Sequence, residues 1–301
     1  APAGARLSGR GGEALAAFVA EARGGLLVLT GAGMSTESGV PDYRSPQGSY
    51  AQGHKPMNHS AFVREPMQRA RYWARSLRGW RYFAGARPNR AHRALAALEA
   101  AAHVGGVVTQ NVDGLHAAAG SRRVIDLHGR NDTVVCLSCA ARRPRVAYQE
   151  ELEARNAAWM AAFLPHPGGE ALDVRADGDA HLAHEDFRGF CVPPCGACGS
   201  GVLMPDVVFF GGTLRPEVRE AARRAAEEAS SLLILGSSCQ VFSAFQLVQT
   251  VHRRGRPIAM VNIGPTRADP LVPDPLRFQS RCGDALLEVC ARLGVCGADS
   301  E

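Results

Sequence analysis

The chain has 301 residues, 46% hydrophobic and 21% charged, which excludes a disordered polymer and leaves room for about two domains of ordinary size. Its net charge of +5 comes with a single lysine, Lys55, and no dense basic tract, so nothing in it demands nucleic acid. No apolar run approaches the roughly 18–20 residues of a membrane span, no solenoid repeat recurs, and nine cysteines, four of them in Cys-x-x-Cys pairs, are too few for a disulfide scaffold.

Residues 1–12 are rich in Gly, Ala and Arg, lack the apolar stretch of a signal peptide, and are expected to be mobile, as are 294–301. Residues 13–23 put Leu15, Phe18, Val19 and Ala22 on one helical face, which Gly24-Gly25 ends. The continuous apolar run 26–30 reads as a strand buried on both faces. Residues 45–88, rich in aromatics, Arg and Pro, read as helices and loops grafted onto the sheet.

The helix-then-strand rhythm then returns three times. Helix 89–101 precedes the apolar run 104–111, helix 216–229 precedes 231–238, and helix 243–254 precedes 257–264. A last helix, 284–293, closes the pattern. Alternation of this kind predicts an α/β fold, a Rossmann-like, doubly wound parallel sheet that binds ligands at its strands' carboxyl ends. The sheet domain takes residues 13–44, 89–129 and 205–293. Segments 45–88 and 130–204, the latter with a polar stretch at 165–187, form a smaller second domain, the latter segment being the zinc-binding one.

Each strand-end loop carries candidate ligand groups. Gly31-Ala32-Gly33 lets the backbone turn tightly toward a pyrophosphate, though Thr36 stands where a third glycine belongs in the dinucleotide fingerprint. Ser35 and Thr36 offer hydroxyls for phosphate oxygens, and Pro41, Asp42, Tyr43 and Arg44 add an aromatic lid and a cation. The alternative is a plain strand-to-helix turn. Gln110, Asn111 and Asp113 can hydrogen-bond a carboxamide and a ribose; the alternative is a polar loop in which Asp113 caps a helix. Gly236, Ser237 and Ser238 suit phosphate or ribose contacts, and Asn262, with Ile263 and Gly264 in its turn, can take an adenosine ribose.

Cys136-x-x-Cys139 and Cys195-x-x-Cys198 have the spacing of two zinc knuckles, which together make a closed, structural site for one zinc. Cys191 is a rival to Cys195; Gly196 and Gly199 favour Cys195. Cys239, Cys290 and Cys296 read as buried or incidental. Thiols kept for a metal suit a reducing compartment.

The stretch 31–45, GAGMSTESGVPDYRS, resembles the signature of the sirtuins, the NAD-dependent protein deacylases, and the likeness runs from about residue 13 to 293. The segments 71–80, 262–267 and 280–283 look most like class II, which holds a mitochondrial sirtuin of animals and many bacterial relatives. The resemblance implies that NAD is the cofactor and acylated-lysine proteins the substrates. The acyl oxygen attacks the nicotinamide ribose, nicotinamide leaves, and the acyl group ends on ADP-ribose. It makes His128, one of ten histidines, the general base. It puts Asn111 and Asp113 at the nicotinamide and Gln110 at its ribose, and Cys282 near the adenine.

The resemblance also implies that Val207, Val208, Phe209, Phe210 and Gly211 pair by their edge with an extended substrate peptide; the alternative is a plain core strand. Many relatives are acidic where Gly212 stands. Tyr72 and Arg75 match a Tyr-x-x-Arg pair that holds acidic acyl groups in another class; the alternative is a packed helix face. The inserted stretch 165–187 is a candidate to limit acyl size. A protein mono-ADP-ribosyltransferase and a non-catalytic, NAD-sensing zinc module are the competing functions. A monomer is expected, without membrane or specific nucleic-acid partners. The expected location is cytoplasmic for a bacterial chain, the mitochondrial matrix for a eukaryotic one, with the cytoplasm preferred.

Overall fold

The computed structural model describes residues 9–163, 175–182 and 186–295. Helix α1 (Arg10–Glu21) starts before residue 13, where the apolar pattern begins. Gly12 is buried, and a Cβ there would lie 2.7 Å from Glu288 Cγ, so a tertiary contact extends the helix through a glycine pair that propensity disfavours. Strand β1 (Leu26–Thr30) leads into two short 3-10 turns, Ala32–Met34 and Thr36–Ser38. Helices α2 (His59–Arg64) and α3 (Pro66–Gly85) follow, then α4 (Arg90–Ala100), whose N-cap Asn89 accepts from the N–H groups of Ala91 and His92.

Next come β2 (Val104–Thr109), α5 (Leu115–Ala118), β3 (Val124–Asp126), β4 (Gly129–Cys136), β5 (Arg142–Pro144), α6 (Arg145–Arg155) and α7 (Ala157–Phe163). The last third holds β6 (Leu203–Val207), α8 (Pro216–Glu228), β7 (Ser231–Leu235), α9 (Phe242–Arg253), β8 (Ile258–Val261), β9 (Arg277–Phe278) and α10 (Cys282–Leu293).

Among the described residues, six parallel strands lie in the order β3-β2-β1-β7-β8-β9. The chain runs outward from β1 to β3, then restarts beside β1 at β7 and runs the other way. That reversal opens a crevice at the carboxyl ends of β1 and β7, where open α/β sheets bind ligands. The strand β1 is buried along its whole length, and apolar up to its last residue, Thr30, because both faces are covered. Leu26 and Val28 face a core cluster with residues of α1, α4 and α10, while Leu27 and Leu29 face another with residues of α8 and α9.

A separate antiparallel sheet, β5-β4-β6, packs with α3 and α6 around a third cluster. Its centre is aromatic. Trp73 of α3 donates from Nε1 to the Leu203 carbonyl at 3.3 Å, and the buried Arg145 guanidinium lies 5.1 Å and 4.9 Å from the Trp73 and Trp80 rings. The segment 206–212 is not one strand: the ladder to β4 ends at Val207, and Gly211 turns the chain with φ +76°. No helix among the described residues is long and apolar enough to cross a membrane.

Candidate active site

The loops after β1 and β7 interlock. The Gly31 N–H donates to the Leu235 carbonyl and the Gly33 N–H to the Gly236 carbonyl, at 3.0 and 2.9 Å. A Cβ on Gly33 would sit 2.9 Å from Gly236 Cα, and Gly236 itself has φ +57°. The space freed by these glycines is thus filled by the neighbouring loop's backbone. Beside the tight turn expected from the sequence, the glycines permit the close approach of two strand ends.

The loop after β2 is stitched to the same turn. Asn111 donates from Nδ2 to the Gly31 carbonyl and to Ser35 Oγ, both at 3.0 Å. Ser35 donates to Asp113 Oδ2 at 2.6 Å, and the other Asp113 oxygen accepts from the Leu115 N–H at 3.0 Å. Asp113 therefore holds the first N–H of α5, whose N-cap is Gly114, while also bonding the turn after β1. Burial raises its pKa, opposed by the Ser35 and Leu115 hydrogen bonds. Ser35 is fully engaged inside this network rather than facing outward. Gln110 turns its amide to the Thr30 carbonyl and to Ser237 Oγ, at 3.1 and 2.7 Å, which also occupies Ser237.

Outward-facing groups remain around the crevice. Thr36 and Arg44 are exposed, and Ser238 is half-buried. Arg44 lies 5.1 Å from the Tyr50 ring, which in turn packs on Tyr43. Asp42, next to Pro41, accepts from the N–H groups of Arg44 and Ser45, shaping that loop. On the β8 side, Asn262 bonds the carbonyls of Ile263 and Gly264, which leaves the Ile263 side chain exposed. Cys282 is buried in the core cluster with α10, and burial pushes its thiol up to about 12.

His128 follows β3. Its Nδ1 lies 3.1 Å from the Gln110 carbonyl and its Nε2 2.9 Å from Ser243 Oγ. A carbonyl only accepts, so Nδ1 carries the proton and Nε2 presents a lone pair. Burial lowers the imidazole pKa, with the Gln110 bond opposing, and the ring is neutral near pH 7. The His128 carbonyl accepts from the Val208 N–H at 2.9 Å, tying the base's backbone to the segment after β6. Beyond it, Phe210 is exposed and accepts at its carbonyl from the His59 N–H. The strand order leaves β6 at a sheet edge.

Tyr72 and Arg75 are buried. The Tyr72 ring meets Phe62 and Phe209, with centroids 5.4 and 5.0 Å away, and Arg75 faces Asp179 at 3.8 Å. This is a packed helix face, with the ion pair supplied by the inserted stretch. Of that stretch, residues 165–174 and 183–185 lie outside the described residues.

The sulfurs of Cys136, Cys139, Cys195 and Cys198 all lie within 4.8 Å of one another. Two of the separations, Cys136 to Cys198 and Cys139 to Cys195, are 3.8 Å. Four sulfurs at the usual ~2.3 Å from a tetrahedral zinc stand about 3.8 Å apart, so the set fits that ion. Backbone N–H groups of Ser138 and Gly201 point at Cys136 and Cys198 sulfurs. Cys191 is outside the cluster: its backbone is held by the Asn156 side chain. Cys239 and Cys290 are buried, and Cys296 lies outside the described residues.

The Sir2 family model matches residues 31–243. This chain belongs to the Sir2 family. It is 51% identical over 261 residues to NAD-dependent protein deacetylase 2 of Bradyrhizobium diazoefficiens, covering 87% of this chain and 91% of that protein. It is 47% identical to the human mitochondrial NAD-dependent protein lipoamidase sirtuin-4, covering 87% of this chain and 80% of that one. A solved Sir2 complex with a p53 peptide and NAD+ is 28% identical, covers 90% of this chain and 94% of its own, and superposes with a TM-score of 0.69.

Ser243 is the residue that sequence reasoning missed. It opens the helix expected over 243–254, a few residues after Gly236, Ser237 and Ser238, and a serine in the first turn of a helix reads as a local cap.

Proposed function

We infer that this chain is an NAD-dependent protein-lysine deacylase. The observation that carries the site assignment is the neutral His128 imidazole, its Nε2 lone pair set beside the crevice by the Gln110 carbonyl. The groups around the crevice suit a dinucleotide: an exposed guanidinium at Arg44, the Ser238 hydroxyl, acceptor oxygens at Thr36, which donates to the Gly33 carbonyl, and at Asn262, and an exposed apolar side chain at Ile263. In our reading Gly31, Ala32, Gly33, Thr36, Pro41, Asp42, Tyr43 and Arg44 border the phosphates and nicotinamide ribose. Gly236, Ser237, Ser238, Asn262, Ile263, Gly264 and Cys282 border the adenosine half.

Asn111 and Asp113 line the nicotinamide pocket, with Ser35 and Gln110 holding them and the loop in place. Bound NAD supplies an electrophilic sugar carbon and a leaving group, so the protein needs no nucleophile of its own. His128 Nε2 accepts a proton from a sugar hydroxyl. The free edge of β6 and residues Val207 to Gly211 receive the substrate backbone, with Tyr72 and Arg75 behind Phe209. The four-cysteine cluster holds one structural zinc. We place the enzyme in the cytoplasm, a reducing compartment that suits the free thiols of the zinc cluster, and expect a monomer.

A panel of acyl-lysine peptides with NAD, read by product mass, tests this for the wild-type chain and for His128→Ala. O-acyl-ADP-ribose from the wild type alone is the expected result. ADP-ribose fixed to protein would make the chain a transferase instead, and acyl transfer by His128→Ala would remove the base assignment.

A further inference from the structure

We infer that Ser243 is a positioning residue for His128, holding the imidazole by the nitrogen that accepts the proton. The inference rests on His128 being the base. The Gln110 carbonyl fixes the proton on Nδ1, so the 2.9 Å contact at Nε2 has one polarity: the Ser243 hydroxyl donates and the ring accepts. The imidazole is thereby anchored at both nitrogens, in the one tautomer that can take a proton from a substrate hydroxyl. In turnover that hydroxyl displaces Ser243 from the same lone pair.

Ser243 is not spent on its helix. The N-cap of α9 is Val241, and no side chain caps that end. The α9 N-terminus instead faces the ring through Ser243, and its partial positive charge disfavours an imidazolium there. No acidic residue in the first turn of α9 offsets this. The ionisable groups on the ring's own and adjoining segments are Asp126 and Arg130 on its own, Asp113 on the loop after β2, and Asp206 on β6, in register with Arg130, and none of them is among the causes of the ring's shift. Asp126 and Arg130 face each other at 3.8 Å, Asp113 is held by Ser35, and Asp206 by Arg142 and Arg215. Among the described residues, the ring's own bonds go only to Gln110 and Ser243. The Ser243 hydroxyl and the helix end therefore act on the base beside burial, which is the larger influence and lowers its pKa.

Removing the hydroxyl takes a donor from the neutral ring and an acceptor from the charged one, and the charge-assisted bond is the stronger of the two. The imidazole then protonates less easily, and the acid limb of kcat/KM, which reports the free enzyme in which Ser243 still holds the ring, moves to lower pH. The test is the pH profile of kcat/KM with an acyl-lysine peptide and NAD for the wild type, Ser243→Ala, Ser243→Thr and Ser243→Val. Thr and Val match in size and differ in the hydroxyl, so this pair decides the matter even if the alanine variant fails to fold.

Ala and Val should lower the plateau of kcat/KM about tenfold and shift its acid limb down by about half to one pH unit, the worth of one hydrogen bond. Thr should return the limb to its wild-type position. Nitrogen NMR of the histidine rings, assigned by the absence of one signal set in His128→Ala, should show the same downward shift on titration.

Superimposable profiles and titrations for Thr and Val would overturn the role of Ser243, provided His128→Ala is inactive. An active His128→Ala would instead overturn the base assignment on which that role rests.

Discussion

Ser35 and Asp113 share a 2.6 Å hydrogen bond across 78 residues of sequence, joining the turn after β1 to the loop after β2. Asn111 donates to the same serine, so one hydroxyl organises two polar side chains. Ser35→Ala leaves Asp113 with the Leu115 N–H and removes the donor that opposes its raised pKa. The carboxyl should protonate at still higher pH, and the loss of turnover should be greatest on the acid side. Stability should fall by about 1–3 kcal/mol, the cost of leaving a buried polar group without its partner. Urea unfolding and turnover measured at two pH values check both effects; unchanged turnover at both would refute the link.

The glycine at 33 makes a sharper steric demand. A Cβ would stand 2.9 and 3.0 Å from Gly236 Cα and carbonyl oxygen, which are backbone atoms that no rotamer change can move. Gly33→Ala should push the loops after β1 and β7 apart and weaken NAD binding at least tenfold, as measured by titration calorimetry. Wild-type affinity in this variant would mean that loop spacing does not govern the nucleotide site.

Turnover should follow the neutral form of His128. Burial holds its folded pKa below the ordinary histidine value of about 6.5, so the base stays competent somewhat below that pH. Activity should be at its plateau above the folded pKa and fall as pH drops through it, because protonation consumes the Nε2 lone pair. A kcat profile whose acid limb lies at or above an ordinary histidine's would contradict the burial seen here.

How much of this was legible follows from what each residue depends on. The strands β1, β2, β7 and β8 were readable because burial on both faces makes their runs continuously apolar. With three and two residues, β3 and β9 are too short to carry any period, so pairing with β2 and β8 defines them. The CxxC spacing encodes the zinc knuckles locally, so all four sulfurs were placed from sequence and are found together. Ser35, Ser237 and Ser243 were opaque for the opposite reason. Their hydroxyls bond residues far away in the chain, and sequence offers only their local options.

The zinc cluster has one neighbour that tolerates no side chain. A Cβ on Gly201 would clash with two ligand sulfurs, standing 2.9 Å from that of Cys198 and closer still to that of Cys136. Gly201→Ala should lower bound zinc well below one ion per chain by elemental analysis. Because structural zinc contributes directly to folding, the small sheet should lose stability and activity should fall indirectly. Chelation of the wild type should reproduce the effect. Full zinc content in Gly201→Ala would mean that the sulfurs can regroup around the methyl group.

Arg75 separates two meanings of the Tyr-x-x-Arg spacing. Both Arg75 and Asp179 have only 8% of their side chains exposed, and their charged groups stand 3.8 Å apart. An arginine already facing an internal carboxylate in a dry site is a structural partner, and removing one member of such a pair costs about 3–5 kcal/mol. Burial and the neighbouring Asp177 hold the Asp179 pKa well above the usual carboxylate range, opposed by Arg75 and Arg175. Arg75→Ala should therefore lower the unfolding midpoint strongly and depress turnover on acetyl-lysine and succinyl-lysine peptides in parallel. A clamp for acidic acyl groups would behave otherwise, losing the succinyl substrate selectively while thermal stability held. Comparing kcat/KM on the two peptides with the melting curve of the same variant decides between them.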